Sequence, residues 1–266
     1  MNRNYILILM VIVIGNAKTP LDYTITFSSG YDNNVLRLSK NEFDQVSRNK
    51  NILGGAATYD SFISKVGISG KKDLLNLENK LLSLKVLSSY SNNLHFSEKK
   101  YWSGGFDLMY KWGSYKHIKY SIRHLNDFYL RHYIDRDVSS SNLEPCKFSD
   151  RDQSALLTSR ISKHLWLNLG MGYLQRYYAK PFTEFDLDII YFKGKVNHKI
   201  KNLGLISLQI KQGRAVSKSD DLPKRPSSFD RSYSNTEWYI PLKIKLNNEW
   251  FNEYGFSARI DQRFYD

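Results

Sequence analysis

Two side chains able to work as a nucleophile and its base stand together in His95-Phe-Ser97. At spacing i, i+2 on a strand, both would lie on one face. Histidine would take the proton and serine would attack, with a third residue to orient the ring and donors for an oxyanion. Asn92 and Asn93 are close in sequence, yet neither matches the third position. Asp135, Asp137, Glu144, Asp150 and Asp152 gather in the stretch 127–152. They offer oxygen ligands for calcium but lack the glycine and fixed spacing of a known loop, so ordinary solvation is the simpler reading. His-Glu-x-x-His, Gly-x-Ser-x-Gly and paired cysteines for zinc are all missing from the chain. Cys146 is the single cysteine, which excludes an internal disulfide. The sequence calls for no cofactor or metal.

The elements that would position these residues are read from alternation. His164–Tyr177 carries Leu165, Leu167, Leu169, Met171, Tyr173 and Tyr177 at odd positions. Phe182–Phe192 carries Phe185, Leu187, Ile189 and Tyr191 on one face and Glu184, Asp186 and Asp188 on the other. Period 2 means strand. The same pattern predicts eleven strands: 21–29, 59–69, 82–90, 101–112, 115–126, 153–162, 164–177, 182–192, 196–211, 236–246 and 250–264. Stretches 30–58, 91–100, 127–152 and 212–235 read as long polar connections. Tight turns are expected at 113–114, 163, 194–195 and 247–249. Long and short connections thus mostly alternate, with 178–181 a short exception, and the segments run to about ten residues, the length a tilted membrane strand needs. Pro241, inside the tenth strand, lacks the N–H of a central strand and marks a bulge or an irregularity.

The first residues have a different character. Met1-Asn-Arg-Asn precedes an apolar run, Tyr5–Ile14, and then Gly15-Asn16-Ala17. A charged start, a short apolar core and small residues fit a secretory signal peptide over residues 1–17, with the main domain at 18–266. The apolar run is too short to span a bilayer as a helix. Net charge is +13, or +12 once Arg3 leaves (13 − 1), and mean hydropathy is −0.49. That excludes a bundle of membrane helices. The basic residues form no run of five, which argues against nucleic acid in a secreted chain. The chain holds 38 aromatic residues (19 Tyr, 14 Phe, 5 Trp), many at strand ends, such as Tyr101, Trp102, Trp112, Tyr115, Trp238 and Trp250. Amphipathic rings favour the headgroup level at both edges of a membrane.

With this leader, Gly30-Tyr-Asp-Asn-Asn-Val35 after the first strand, and its alternating aromatic hairpins, the chain resembles bacterial outer-membrane up-and-down β-barrel proteins over 21–266. The resemblance implies an antiparallel transmembrane β-barrel of about 10–12 strands in the bacterial outer membrane, in contact with its lipid. It implies a non-enzymatic small-solute channel or a structural surface protein. Eleven strands are an odd count for such a barrel, and the chain runs past Ile260 to Asp266 where a terminal aromatic is usual. A twelfth strand beyond the sequence, or a ten-strand count with 59–90 reassigned, would restore parity. Charges expected to face the lumen are Asp107, Lys111, Arg123, Arg160, Arg176, Glu184, Asp186, Asp188, Lys243, Arg259, Asp261 and Arg263. They would either line a pore, admitting small or anionic solutes, or plug it with ion pairs. His95-Phe-Ser97 looks like the His-x-Ser of the outer-membrane phospholipase A family, which implies lipid hydrolysis as an alternative. A soluble secreted β-protein binding anionic ligands is the third reading.

Overall fold

The computed structural model describes residues 21–46, 50–138, 143–201, 203–218, 230–245 and 253–266. The expected leader at 1–17, much of the expected 212–235 connection and the expected turn at 247–249 lie outside them. The eleven strands form one antiparallel meander in which each strand pairs with its neighbours in sequence. They are β1 (Asp22–Asp32), β2 (Ser61–Leu77), β3 (Lys80–Asn93), β4 (Tyr101–Gly113), β5 (Lys116–Ile134), β6 (Leu143–Arg160), β7 (Leu165–Tyr178), β8 (Leu187–Ile200), β9 (Gly204–Ser217), β10 (Tyr233–Lys245) and β11 (Glu253–Tyr265). One short helix, α1 (Lys40–Val46), sits in the β1–β2 connection.

The sheet is not closed into the expected barrel. β1 pairs with β2 and β11 with β10, and β1 is not joined to β11. Strand count bears on this. An odd number of strands in an antiparallel meander leaves its two outer strands running the same way, so they cannot meet as an antiparallel pair. No twelfth strand occurs among the described residues.

Register divides the side chains into two faces, because cross-strand partners point the same way. Along β9 the division is strict: Ser207, Gly213, Ala215 and Ser217 are buried while Ile206, Leu208, Gln212 and Val216 are exposed. The apolar side chains cover the exposed outer face. One row of it runs Ile118, Leu157, Leu169, Gly194, Ile210, Trp238 and Ile260 across seven strands. At the sheet's edges Phe27 is 71% and Phe256 64% exposed. Most of the polar side chains, several glycines and a set of aromatic rings occupy the inner face.

The long strands end differently at their two ends. Connections at 78–79, 114–115, 161–164 and 201–203 are short, whereas 33–60, 94–100, 135–142, 179–186 and 218–232 are longer. The 33–60 segment folds back instead of hanging free. Asn34 bonds both ways with the Leu38 backbone at 2.9 and 2.8 Å. Ser39 and Glu42 exchange a reciprocal cap at the start of α1, worth about 1 kcal/mol. Val35, Leu36, Leu38 and Leu53 then bury themselves with Phe96 and Tyr129.

Several boundaries differ from the sequence reading. The supposed polar connection 127–152 is mostly strand: β5 reaches Ile134 and β6 begins at Leu143, with bulges near Asp127 and Leu130 taking up the irregularity. The expected turn at Gly194-Lys195 lies inside β8, and the real turn is at 201–203. The second strand also runs further than 59–69: β2 continues to Leu77 past a bulge between Asp73 and Leu75. Pro241 falls where the β9–β10 ladder skips Ile240 and Pro241, so its missing N–H removes no ladder bond on that side.

Candidate functional site

The inner face has two tiers. The tier next to the long connections is packed with rings. Tyr101, Phe128, Phe148, Tyr178, Phe185, Phe182 and Tyr133 form an unbroken chain, each centroid 5.0–6.1 Å from the next. Such pairs add about 0.5–1.5 kcal/mol beyond their burial. Cations lie on these rings. Arg176 stacks 4.3 Å from the Phe148 centroid and makes two bonds to Asp150 at 2.8 and 2.9 Å. Arg231 lies 3.6 Å from the Phe185 ring, with buried Glu184 nearby. Arg131 stacks on Tyr133 and bonds Glu42 of α1 at 2.8 Å, which ties the 33–60 segment to β5. Its neighbours Ser39 and Arg131 hold the Glu42 carboxyl below the usual range.

Two cavities remain between these groups. One, about 630 Å³, lies among Glu42, Arg131, His132, Tyr178, Phe182 and Arg231. The other, about 460 Å³, is lined by Asp32, Arg37, Ser91, Asn93, Lys99 and Tyr129. Lys99 sits 5.8 Å from both the Phe128 and Tyr129 ring centroids. Burial pulls its ammonium down to about 8, with Asp32 opposing and Arg37 adding to the effect. The folded state then binds fewer protons than the unfolded chain between about pH 8 and 10.5. Stability therefore rises with pH across that window, and the full penalty applies below it. Lys99→Met is expected to stabilise the protein by ~1–3 kcal/mol at pH 7, since a tenfold loss of proton affinity on folding corresponds to ~1.4 kcal/mol, and to flatten that rise. Denaturant unfolding at pH 7 and pH 10 checks it; equal pH dependence in both proteins would refute the assignment.

The tier toward the short turns is wetter and charged. Gly105 lets Arg123 cross it closely: a Cβ there would sit 2.1 Å from the Ile122 carbonyl oxygen. Arg123 donates to Asp107 at 2.6 Å, and Ser121 donates to the same carboxylate oxygen. Gly172 leaves space for the Tyr191 ring, whose hydroxyl donates to Asp152 at 2.9 Å. Lys211 lies 4.5 Å from the centroid of that ring. Toward β11, Arg259 stacks on Tyr239 and lies 3.9 Å from Glu237, while Lys243 bonds Glu253.

Register places Asp107, Lys111, Arg123, Arg160, Arg176, Lys243, Arg259, Asp261 and Arg263 on this one inner face. It brings Asp107 to Arg123, while Arg160, at the foot of β6, donates to the Ser162 carbonyl. The acidic residues of the eighth strand are a correction. β8 begins at Leu187, so Glu184 belongs to the 3-10 turn Thr183–Phe185 and Asp186 to its end. Asp186 caps the Tyr178 N–H, and burial raises its carboxyl. Asp188 lies on the outer face, opposite Gln175, beside Lys218 at 2.9 Å. Ile189 and Leu187 turn inward instead, packed with Ala215, Leu174 and Tyr233. The run Leu187-Asp-Ile-Ile-Tyr-Phe192 is apolar at both parities beyond Asp188, so alternation within it does not settle the facing. Pairing with β7 and β9 does.

The sequence reading passed over Lys193, Lys195 and Lys211 because a turn was expected at 194–195. The signal was present as Phe192, Gly194 and Val196 alternating with Lys193 and Lys195. It also left Asp150 and Asp152 in a loop, where β6 holds both on the inner face.

His95 and Ser97 do not share a strand face. They lie in the 94–100 connection, where Ser97 opens a 3-10 turn. The His95 ring nitrogen Nδ1 is 3.0 Å from the Asp60 backbone oxygen and 3.9 Å from its carboxylate. Tyr31 and Thr58 hydroxyls donate to that carboxylate and lower it. Among the described residues no hydrogen bond joins Ser97 to His95, so the pair is not arranged as nucleophile and base. Among the described residues no group of His, Cys, Asp and Glu is arranged to hold a metal. No protein-family model matches the chain, and no curated protein matches it either.

Proposed function

We propose that this chain is an integral protein of the bacterial outer membrane, exported by its leader, whose inner face lines a passage for small solutes without catalysis. The observation that supports this reading most is the outer face. Exposed large apolar side chains occur on it from β1 to β11, such as Phe27, Ile68, Ile118, Leu157, Met171, Phe192, Ile210, Trp238 and Phe256, and on a soluble monomer a continuous exposed apolar face of that reach is unusual. Lipid is the medium in which such a face is favourable, and the polar inner face then stays wet. The alternation of short and longer connections fits turns on the periplasmic side and loops outside. Lipid does not tolerate an open sheet edge, so the reading requires the free sides of β1 and β11 to be sealed in the membrane.

The test is extraction from membranes with gel mobility read before and after boiling. A detergent-requiring band that shifts on boiling is expected. Release of the protein by salt or carbonate alone, with no shift, would overturn the proposal.

A further inference from the structure

We infer that Lys119, Lys193, Lys195 and Lys211 form an anion site on the inner face, built for phosphate-type oxyanions. The inference deepens the solute-passage reading and rests on it. Lys193 of β8 and Lys211 of β9 are direct register partners. Lys195 stands two positions along β8 on the same face. Lys119 of β5 lies in the same cross-strand row, separated from Lys193 only by Leu156 and Gly170. Lys195, Lys211 and Lys119 act on Lys193 as like charges, and Glu237 opposes them. Glu237 is the register partner of Lys211 but lies within ion-pair distance of Arg259 instead.

Several other inner cations are paired with carboxylates. Arg123 has Asp107, Arg176 has Asp150, Arg131 has Glu42, Lys71 has Asp73 and Lys243 has Glu253. Among the described residues no carboxylate comes within 4.0 Å of any of the four lysines. All four are partly buried. Like charges directly opposite on a sheet are destabilising, and partial burial reduces their solvation. An oxyanion between them would offset both costs. Lysine ammoniums are point charges with three donors each, which suits a multivalent phosphate without a fixed bidentate geometry. Gly170 and Gly172 keep the neighbouring floor low, and the Tyr191 ring backs Lys211.

The experiment is calorimetric titration of inorganic pyrophosphate into the full chain refolded in detergent. Lys193→Gln/Lys211→Gln is expected to weaken binding at least tenfold, whereas Lys193→Arg and the distant Lys65→Gln retain it. Heat-modifiable mobility of each variant confirms folding. In bilayers, pyrophosphate is expected to reduce chloride current through the native protein more than through the double variant. Absence of pyrophosphate binding to the native chain overturns the inference, as does equal binding by the double variant. So does binding confined to vesicles bearing phosphatidylglycerol, because that places the anion on the lipid side. A protein that needs no detergent yet binds pyrophosphate through these lysines would overturn the membrane reading and leave the anion site standing.

Discussion

Phe192→Lys is expected to destabilise the membrane-inserted protein by about 2–4 kcal/mol, the cost of a lysine at mid-depth on the lipid side of a barrel. Phe192 is 59% exposed on the outer face, in register with Met171 of β7 and Gln212 of β9. Its neighbour Lys193 points inward, so Lys193→Gln is expected to change stability by less than about 1 kcal/mol. Urea unfolding in lipid vesicles separates the two. The comparison is sharp because alternation in the sequence alone puts Tyr191, and hence the odd positions, on the lipid side of this strand. If Phe192→Lys is neutral and a lysine at position 191 is costly, β8 faces the opposite way.

Arg176→Met is expected to cost about 2–4 kcal/mol, somewhat under the range for breaking a fully buried pair, since the guanidinium keeps 29% of its side-chain exposure. The loss comes from what is left behind. Asp150, at 17% exposure, would keep its charge beneath the ring chain with neither of its two guanidinium bonds. The stacking on Phe148 would be replaced by a flexible thioether of similar length. Arg176→Met/Asp150→Leu is therefore expected to recover at least half of the single-variant loss, because both charges are then gone. A double variant as unstable as the sum of the two singles would show that the pair contributes nothing as a unit, and that the ring chain, not the ion pair, holds this end of the sheet.

The two substitutions probe different parts of one design. On the proposed membrane reading the outer face contributes through its medium, so a single charge is costly wherever it meets lipid. The inner face contributes through pairing. Its upper tier joins α1, β5, β6 and the 179–186 turn by rings and three arginines, while its lower tier holds four lysines with no carboxylate within 4.0 Å among the described residues. Packing at the long-connection end and open charge at the other are compatible with a passage whose mouth is narrowed by the 33–60 segment.

Strand identity was legible wherever one parity was apolar and the other polar. The runs around Ile118–Arg123, Tyr101–Trp112 and Leu165–Tyr173 needed nothing but period 2, and their facing follows from burial of polar groups inward and rings outward. The hairpins at the short turns also followed from the sequence, since a tight turn between strands allows only an antiparallel pair, whereas their joining into one meander across the long connections rested on the resemblance. Residues 187–192 are different. With apolar side chains at both parities, no local free-energy difference chooses a face, and the choice falls to the register with β7 and β9. The 127–152 stretch looked like a loop because its charges reach the inner face through bulges, which break the period that would have revealed them. His95 and Ser97 show the reverse: their spacing was a strand pattern, but the backbone turns there and Asp60 engages the ring. Composition and alternation therefore determined by themselves that this chain is a sheet with one greasy and one charged face. Tertiary structure alone decided which charges meet, because pairing depends on residues distant in sequence, whose approach is set by register and not by any local preference.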